Sequence, residues 1–528
     1  MENPKYDCPK CGKNLTRGPK AQSGKQRWAC RSGSAPRAYC YSTTNPSAPA
    51  TDRSGNKSKR PAVFKRPLRE GTQTYIITAA QNATPVHRDF WECLITARKA
   101  LQAELLVVPI RYKNPTSRWT MSQRNAEEWA VEVQPYLWNV RAPLNKNLVL
   151  LGDVKTQPTA SDPLSGFESI SGAESCIVAH TKLQLRSVAT PSGKMAKIIT
   201  TTGACTLQNY TDSKAGKKGE FHHALAAVIV EIDGPIFHIR HVNFDKKTRS
   251  FTDLETRYSA TGVRRAPRPL ALVMGDTHVD FIDPKVEAAT DEICAMLEPE
   301  HKIWHDVLDG YSANPHHFGN AFNAIAKRQT GRDDVKAETF RAIDYIRDHT
   351  PDNCRSVVVA SNHDDFLRRW VVNTDWRADP TNASFYLATA FAMVNGTKMG
   401  DGGTEYPSPF PYWFNSRLSL AADPKRFRCL GGNESFVLGG VELGLHGDRG
   451  PNGSRGSAKN LRRIGVRSII GHSHSPAIEE GCYQVGTSTR LRLEYNGGPS
   501  SWLNAHCLLH ADGKRQLIII VNGQWRLK

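Results

Sequence analysis

From Pro269 onward, short apolar runs alternate with stretches of helical period. The runs are Leu270–Met274, Ile303–Leu308, Val357–Ala360, Val441–Leu445, Ile469–Ile470 and Leu517–Val521, and helices are predicted over Pro284–Leu297 and near Asp334–Arg347. Brief buried strands interleaved with helices predict a layered α/β core. An earlier region, Thr72 to about Arg268, opens with a strand-like Tyr75–Thr78 and a helical pattern through Phe90, Leu94, Ala97 and Leu101. It continues with the strand candidates Leu105–Ile110, Leu148–Leu151, Ile177–Ala179, Ile198–Thr200, Ala227–Ile232 and Ile236–Ile239. That pattern predicts a mixed α/β domain whose role the sequence does not reveal, and no internal repeat of fixed period is present.

Residues 41–70 carry almost nothing apolar and run into Lys57, Lys59, Arg60, Lys65, Arg66 and Arg69. Such a segment reads as a basic flexible linker, its charges solvated or laid along phosphates. The expected organisation is therefore a small cysteine module over 1–42, the linker over 43–71, the mixed domain over 72–268, and a catalytic domain over 269–528. Arg264, Arg265 and Arg268 with their prolines mark the last boundary. Within the mixed domain, Tyr210–His223 sets Lys214, Lys217, Lys218, His222 and His223 among glycines. It reads as a solvated loop, with contact to phosphate as the alternative.

A length of 528 residues calls for two or three domains. Lys and Arg number 70 against 51 Asp and Glu, a formal charge of +19. A polyanionic partner, DNA above all, is the natural reading; solubility and an anionic membrane surface are the competing ones. No apolar run approaches the roughly 20 residues of a spanning helix, and the polar start lacks a signal-peptide core, so a cytoplasmic protein is expected, in the host cytoplasm if phage-encoded. Of the 12 cysteines, eight lie scattered from Cys93 to Cys507, as small core residues in a reducing compartment would.

The chemistry collects where the buried runs end. Gly275-Asp276-Thr277-His278 follows the first, and His305-Asp306-Val307-Leu308-Asp309-Gly310 lies in the second. Ser361-Asn362-His363-Asp364, Leu445-His446-Gly447-Asp448 and Gly471-His472-Ser473-His474 close the next three. Asp-x-His alone is a weak signal; five such endings in order are a strong one. Hard oxygen donors with imidazoles suit divalent first-row metals, without any thiolate.

This order resembles the five motifs of the calcineurin-like metallophosphoesterase superfamily: D-x-H, G-D-x-x-D, G-N-H-D or G-N-H-E, a lone His, and G-H-x-H. The resemblance covers roughly the last half of the chain and implies a layered β-sandwich flanked by helices, beside the mixed α/β domain and the small ribbon. It further implies that Asp276, His278 and His474 bind one metal, that Asn362, His446 and His472 bind a second, and that Asp306 bridges them. His363, held by Asp309, would protonate the leaving oxygen. Two divalent ions would serve, Mn²⁺ first and Fe, Zn or Mg as alternatives, about 3.5 to 4 Å apart in sites of this type. The chain departs from the motifs at His305 and Ser361, which replace glycines. After Asp309 stands Gly310-Tyr311, without the Arg that the Ser/Thr protein phosphatase branch uses to grip phosphate.

Near the start, Cys8-Pro9-Lys10-Cys11, then Cys30 and Cys40, supply four thiols, enough to close a tetrahedral structural Zn²⁺ site. The segment is similar to the zinc ribbons that open some transposases and other DNA-handling enzymes. About 40 residues bury too little to fold unaided, so metal would supply the folding free energy. Its basic residues and Trp28 suit nucleic acid, with protein binding as the other use.

Together these features predict a metal-dependent DNA nuclease. The layout is similar to repair nucleases of the SbcD type and to the early DNases with which some tailed phages degrade the host genome. The alternatives are a phosphatase or phosphodiesterase on phosphoproteins or small nucleotides, and a binding protein whose metal is only structural. Related nucleases often dimerise, so a homo-oligomer stands beside a monomer as an expectation.

Overall fold

The computed structural model describes residues 63–66, 71–110, 128–191, 193–396, 408–418, 425–493 and 496–527, together with the short strands Thr16–Arg17, Trp28–Cys30, Tyr41–Thr43, Lys398–Gly400 and Gly403–Glu405. The chain divides into a unit over 1–62 and a unit over 63–528. In the first, the three short strands form an antiparallel sheet. Cys8, Cys11 and Cys40 lie outside the described residues, as does most of the expected linker.

The second unit is built on two large sheets. A six-stranded sheet runs in the order Phe427–Cys429, Arg355–Val358, His301–Trp304, Ala271–Val273, Asn504–Leu509, Arg515–Ile520; its first four strands are parallel and the last two antiparallel. Side chains alternate across it with the period of two that a pleated strand imposes. Val273, Ile303, Val357, Cys507 and Ile519 enter one apolar core, while Leu272, Trp304, Val358, Leu508 and Ile518 enter another with helices Pro284–Leu297, Val335–Asp348 and Phe410–Arg417. The first core is shared with a ten-stranded sheet through Val441, Ile469, Ile478, Tyr483 and Val485. Helices, sheet and sheet thus stack as the expected layered sandwich, α/β in class.

The boundary expected at 268/269 does not separate two bodies. In the ten-stranded sheet, Ala477–Glu479 pairs antiparallel with Gln184–Val188, so strands from both sides of that boundary share one ladder. A four-stranded sheet containing Thr74–Gln81 also gives Ile77, Leu106 and Val228 to the same core, with Ile76, Leu105 and Ile229 facing helix Arg88–Ala100. Edge-to-edge hydrogen bonding leaves no apolar seam for a linker to mark, so composition could not show the continuity.

Helix Pro284–Leu297 has the predicted bounds, with Asp283 as its N-cap accepting from Lys285. The run Ile303–Leu308 is a strand only to Trp304, because Asp306 turns into the left-handed region at φ 43°. Tyr210–His223 is a helix over Lys214–His222, not a loop. Ser213 caps it by accepting from the Gly216 N–H, and its glycines lie against the preceding turn, an advantage that propensity alone cannot register.

Candidate metal centre

All five motif turns leave the C-terminal ends of parallel strands, three from one sheet and two from the facing one. Stacking the sheets brings those edges together. Asp276, His278, His305, Asp306 and His446 are all buried there.

Two clusters share one carboxylate. Nε2 of His278 and Nε2 of His474 lie 3.1 Å apart, His278 Nε2 is 3.8 Å from Asp306 Oδ2, and His474 Nε2 is 3.2 Å from Asp276 Oδ2. On the other side of Asp306, His446 Nε2 stands 3.1 Å from the same Oδ2, and His472 completes a group with them. Oδ1 of Asp306 and Oδ1 of Asn362 are buried without a hydrogen-bond partner among the described residues. Leaving such atoms unmatched costs roughly 1–3 kcal/mol each. Oxygens and imidazoles aimed at common points, rather than at each other in line, are a donor set that fits divalent cations.

Electrostatics follow from the same packing. Burial opposes charge on Asp306, yet His446 and His363 beside it hold its carboxyl well below the usual range. Burial likewise works against the His446 imidazolium, but Asp306 raises it to about 9. His305 lacks a comparable contact, and burial lowers it to about 4.

The backbone is strained at the same place. His278, Asp306, His472 and His474 adopt φ of 40°, 43°, 75° and 57°. Such conformations cost about 1–3 kcal/mol each for non-glycine residues and persist where surrounding contacts hold them. Gly471 is needed for a different reason: a Cβ there would lie 2.9 Å from Cγ of His305 and closer still to Oδ1 of Asp276.

His363 sits beside this centre, its ring edge-on to His278 with centroids 4.7 Å apart. Its Nδ1 donates to the backbone carbonyl of Asp309 at 2.6 Å. Asp309 thus touches His363 through its backbone carbonyl. The Asp309 carboxylate turns instead to Nδ1 of His278, 3.1 Å away, because the positive φ of Asp306 and of Gly310 folds the turn back over His278.

The chain is 29% identical to Protein A1 of Escherichia phage T5 over 466 residues, covering 85% of this chain and 82% of that protein. No family model matches it. Among solved structures, it is similar to Vps29 of Chaetomium thermophilum at 12% identity and a TM-score of 0.19, over 33% of this chain and 88% of that one.

Several supporting residues carry no local motif. His506 accepts from the Gly275 N–H at 2.9 Å through Nδ1, so its Nε2–H is the one that meets Thr290, 2.8 Å away. That tautomer anchors the Asp276 turn. Trp502 packs edge-on against His474 at 4.2 Å. Arg332 lies over Tyr311 at 4.0 Å and Phe281 at 4.5 Å; burial opposes the Asp309 charge, the bond to His278 holds its carboxyl down, and His363 and Arg332 add to that. Arg332 brings a guanidinium near the turn at Gly310-Tyr311, from a segment no spacing rule connects to it. On the outer side, Arg455, Ser457, Asn460 and His472 line an opening of about 490 Å³.

Proposed function

We propose that the chain is a metal-dependent phosphodiesterase that hydrolyses DNA. The observation that carries the reading is the position of Asp306, whose carboxylate faces His278 on one side and His446 on the other. Asp276, His278 and His474 would hold one divalent ion, Mn²⁺ by preference, and Asn362, His446 and His472 a second, with Asp306 common to both. Bound there, the ions would supply a water activated near neutral pH and neutralise the phosphoryl oxygens.

The chain's own residues do the rest. His363, its Nδ1–H fixed on the Asp309 carbonyl, would give the departing oxygen a proton from Nε2 as the imidazolium, a form that burial disfavours and the Asp306 and Asp309 charges favour. Asp309 would orient His278 through Nδ1, leaving Nε2 to face the centre. Few carboxylates converge here, so a phosphodiester meets little repulsion. The net charge of +19 and the kinship with a phage protein support DNA as the substrate. Cys8, Cys11, Cys30 and Cys40 would hold a structural Zn²⁺ in a ribbon that adds to DNA affinity.

Digestion of linear and circular DNA, with Mn²⁺ omitted, restored and replaced, tests the reading. Cleavage that depends on the added ion is expected. Intact DNA together with brisk turnover of a small phosphate monoester would assign the site to a phosphatase instead.

A further inference from the structure

Helix Lys214–His222 lies outside the catalytic motifs, yet it is built as a platform. Its two buried glycines face inward: a Cβ on Gly219 would lie 2.6 Å from the Tyr210 ring, and one on Gly216 would overlap the Thr211 carbonyl. Glycine costs a helix about 1 kcal/mol relative to alanine at each site, so close seating offsets a real penalty here. The opposite face follows at i, i+4 and i+7 with Lys214, Lys218 and Phe221. Phe221 is 82% exposed. Lys217 is neutralised by Asp212 and Glu220, whereas Lys214 and Lys218 make no ion pair or hydrogen bond among the described residues.

Contacts lead from this helix to the metal centre. His222 lies 3.8 Å from Glu480, which accepts from the buried Lys182 at 2.7 Å and is 3.3 Å from Arg462. Arg462 ends the short helix Ala458–Leu461, whose Asn460 lines the opening beside His472. Along that segment Arg455, Lys459 and Arg463 recur every four residues, each exposed and without an ion pair among the described residues. Buried charges pair among themselves beneath while unpaired cations face solvent above.

We infer that Lys214, Lys218 and Phe221, continued by Arg455, Lys459 and Arg463, form a track for an unpaired nucleic-acid strand leading to the opening at His472. Cations spaced along a ridge match phosphates, and an exposed ring offers a base a stacking surface without regard to sequence. A membrane would require a broad apolar face, and this one has Phe221 alone. The inference rests on the phosphodiesterase reading for its purpose, not for its test.

The test uses the full chain, wild type beside two variants, Phe221→Ala and the double Lys214→Gln, Lys218→Gln. Anisotropy of labelled single-stranded DNA of about 16 nucleotides, a length within the reach of such surfaces, is followed with salt. Phe221→Ala should weaken binding about tenfold, and the double variant should flatten the slope of log affinity against log salt by about 1.4, two phosphate contacts at roughly 0.7 each. Turnover of bis(4-nitrophenyl) phosphate should stay at the wild-type rate in both. Unchanged DNA affinity and slope in both variants overturns the track, and so does loss of binding to phosphatidylserine vesicles with DNA binding intact. A wild-type chain that hydrolyses neither DNA nor the small diester defeats the phosphodiesterase reading, and the affinity measurements still decide the track.

Discussion

The backbone N–H of His472 donates to Oδ1 of Asp276 at 3.0 Å, joining the first motif turn to the last across the two sheets. The other carboxylate oxygen is thereby left for His474, 3.2 Å away. Gly471 permits this approach, since any side chain there would displace Asp276 and His305 together. Gly471→Ala is therefore expected to destabilise the fold by about 1–3 kcal/mol, as overpacking does, and to weaken Mn²⁺ binding. Thermal unfolding and titration calorimetry measure the two effects; a variant with wild-type values for both would show that the turn relaxes freely.

His363→Ala should lower turnover about 10² to 10⁴-fold, the range for a positioned general acid. The metal content measured on the purified variant should not change. The loss should be smaller for a 4-nitrophenyl ester, whose leaving group needs little protonation, than for an alkyl ester. Equal losses on both would point to a role other than proton delivery.

Asp309 contacts His278 Nδ1 through its carboxylate and His363 only through its backbone. Asp309→Asn keeps the carbonyl and removes the charge that orients His278, so it should weaken metal affinity 10 to 100-fold. Activity should recover at high Mn²⁺. Failure to recover in a metal titration would place the carboxylate in the chemical step.

Glu338 holds the next stretch of the same turn, accepting from the N–H groups of Tyr311 and Ser312 at 2.8 Å each and from the Ser312 hydroxyl. Burial pushes its carboxyl up to about 7, with Asp309 and Asp280 adding to the effect. A raised carboxyl favours the folded state while protonated, so this contribution is full below about 4.5 and disappears as pH rises through about 7. It amounts to roughly 3 kcal/mol at about 1.4 kcal/mol per pH unit. Glu338→Gln should lose that slope relative to the wild type in denaturant unfolding followed from pH 4.5 to 8. Parallel curves for the two proteins would contradict the assignment.

Much of the centre was legible before any coordinates. Short motifs sit where buried strands end, and their residue types already restrict the chemistry to oxygen and imidazole ligation; the likeness of their order to a known motif series then singled out Asp276, His278, Asp306, Asn362, His446, His472 and His474. Pro284–Leu297 was equally plain, because its cap, its period and its terminus are all local.

Residue order could not show which carboxylate oxygen meets which imidazole. Asp276 and His474 are 198 positions apart and meet only because two sheets stack with their strand ends together. The same holds for the ladder that joins Ala477–Glu479 to Gln184–Val188, for the helix seated on Tyr210 by its glycines, and for Arg332 above Tyr311. Local propensity is read over a few residues. These contacts are settled by which apolar faces bury each other, a choice made by the chain as a whole.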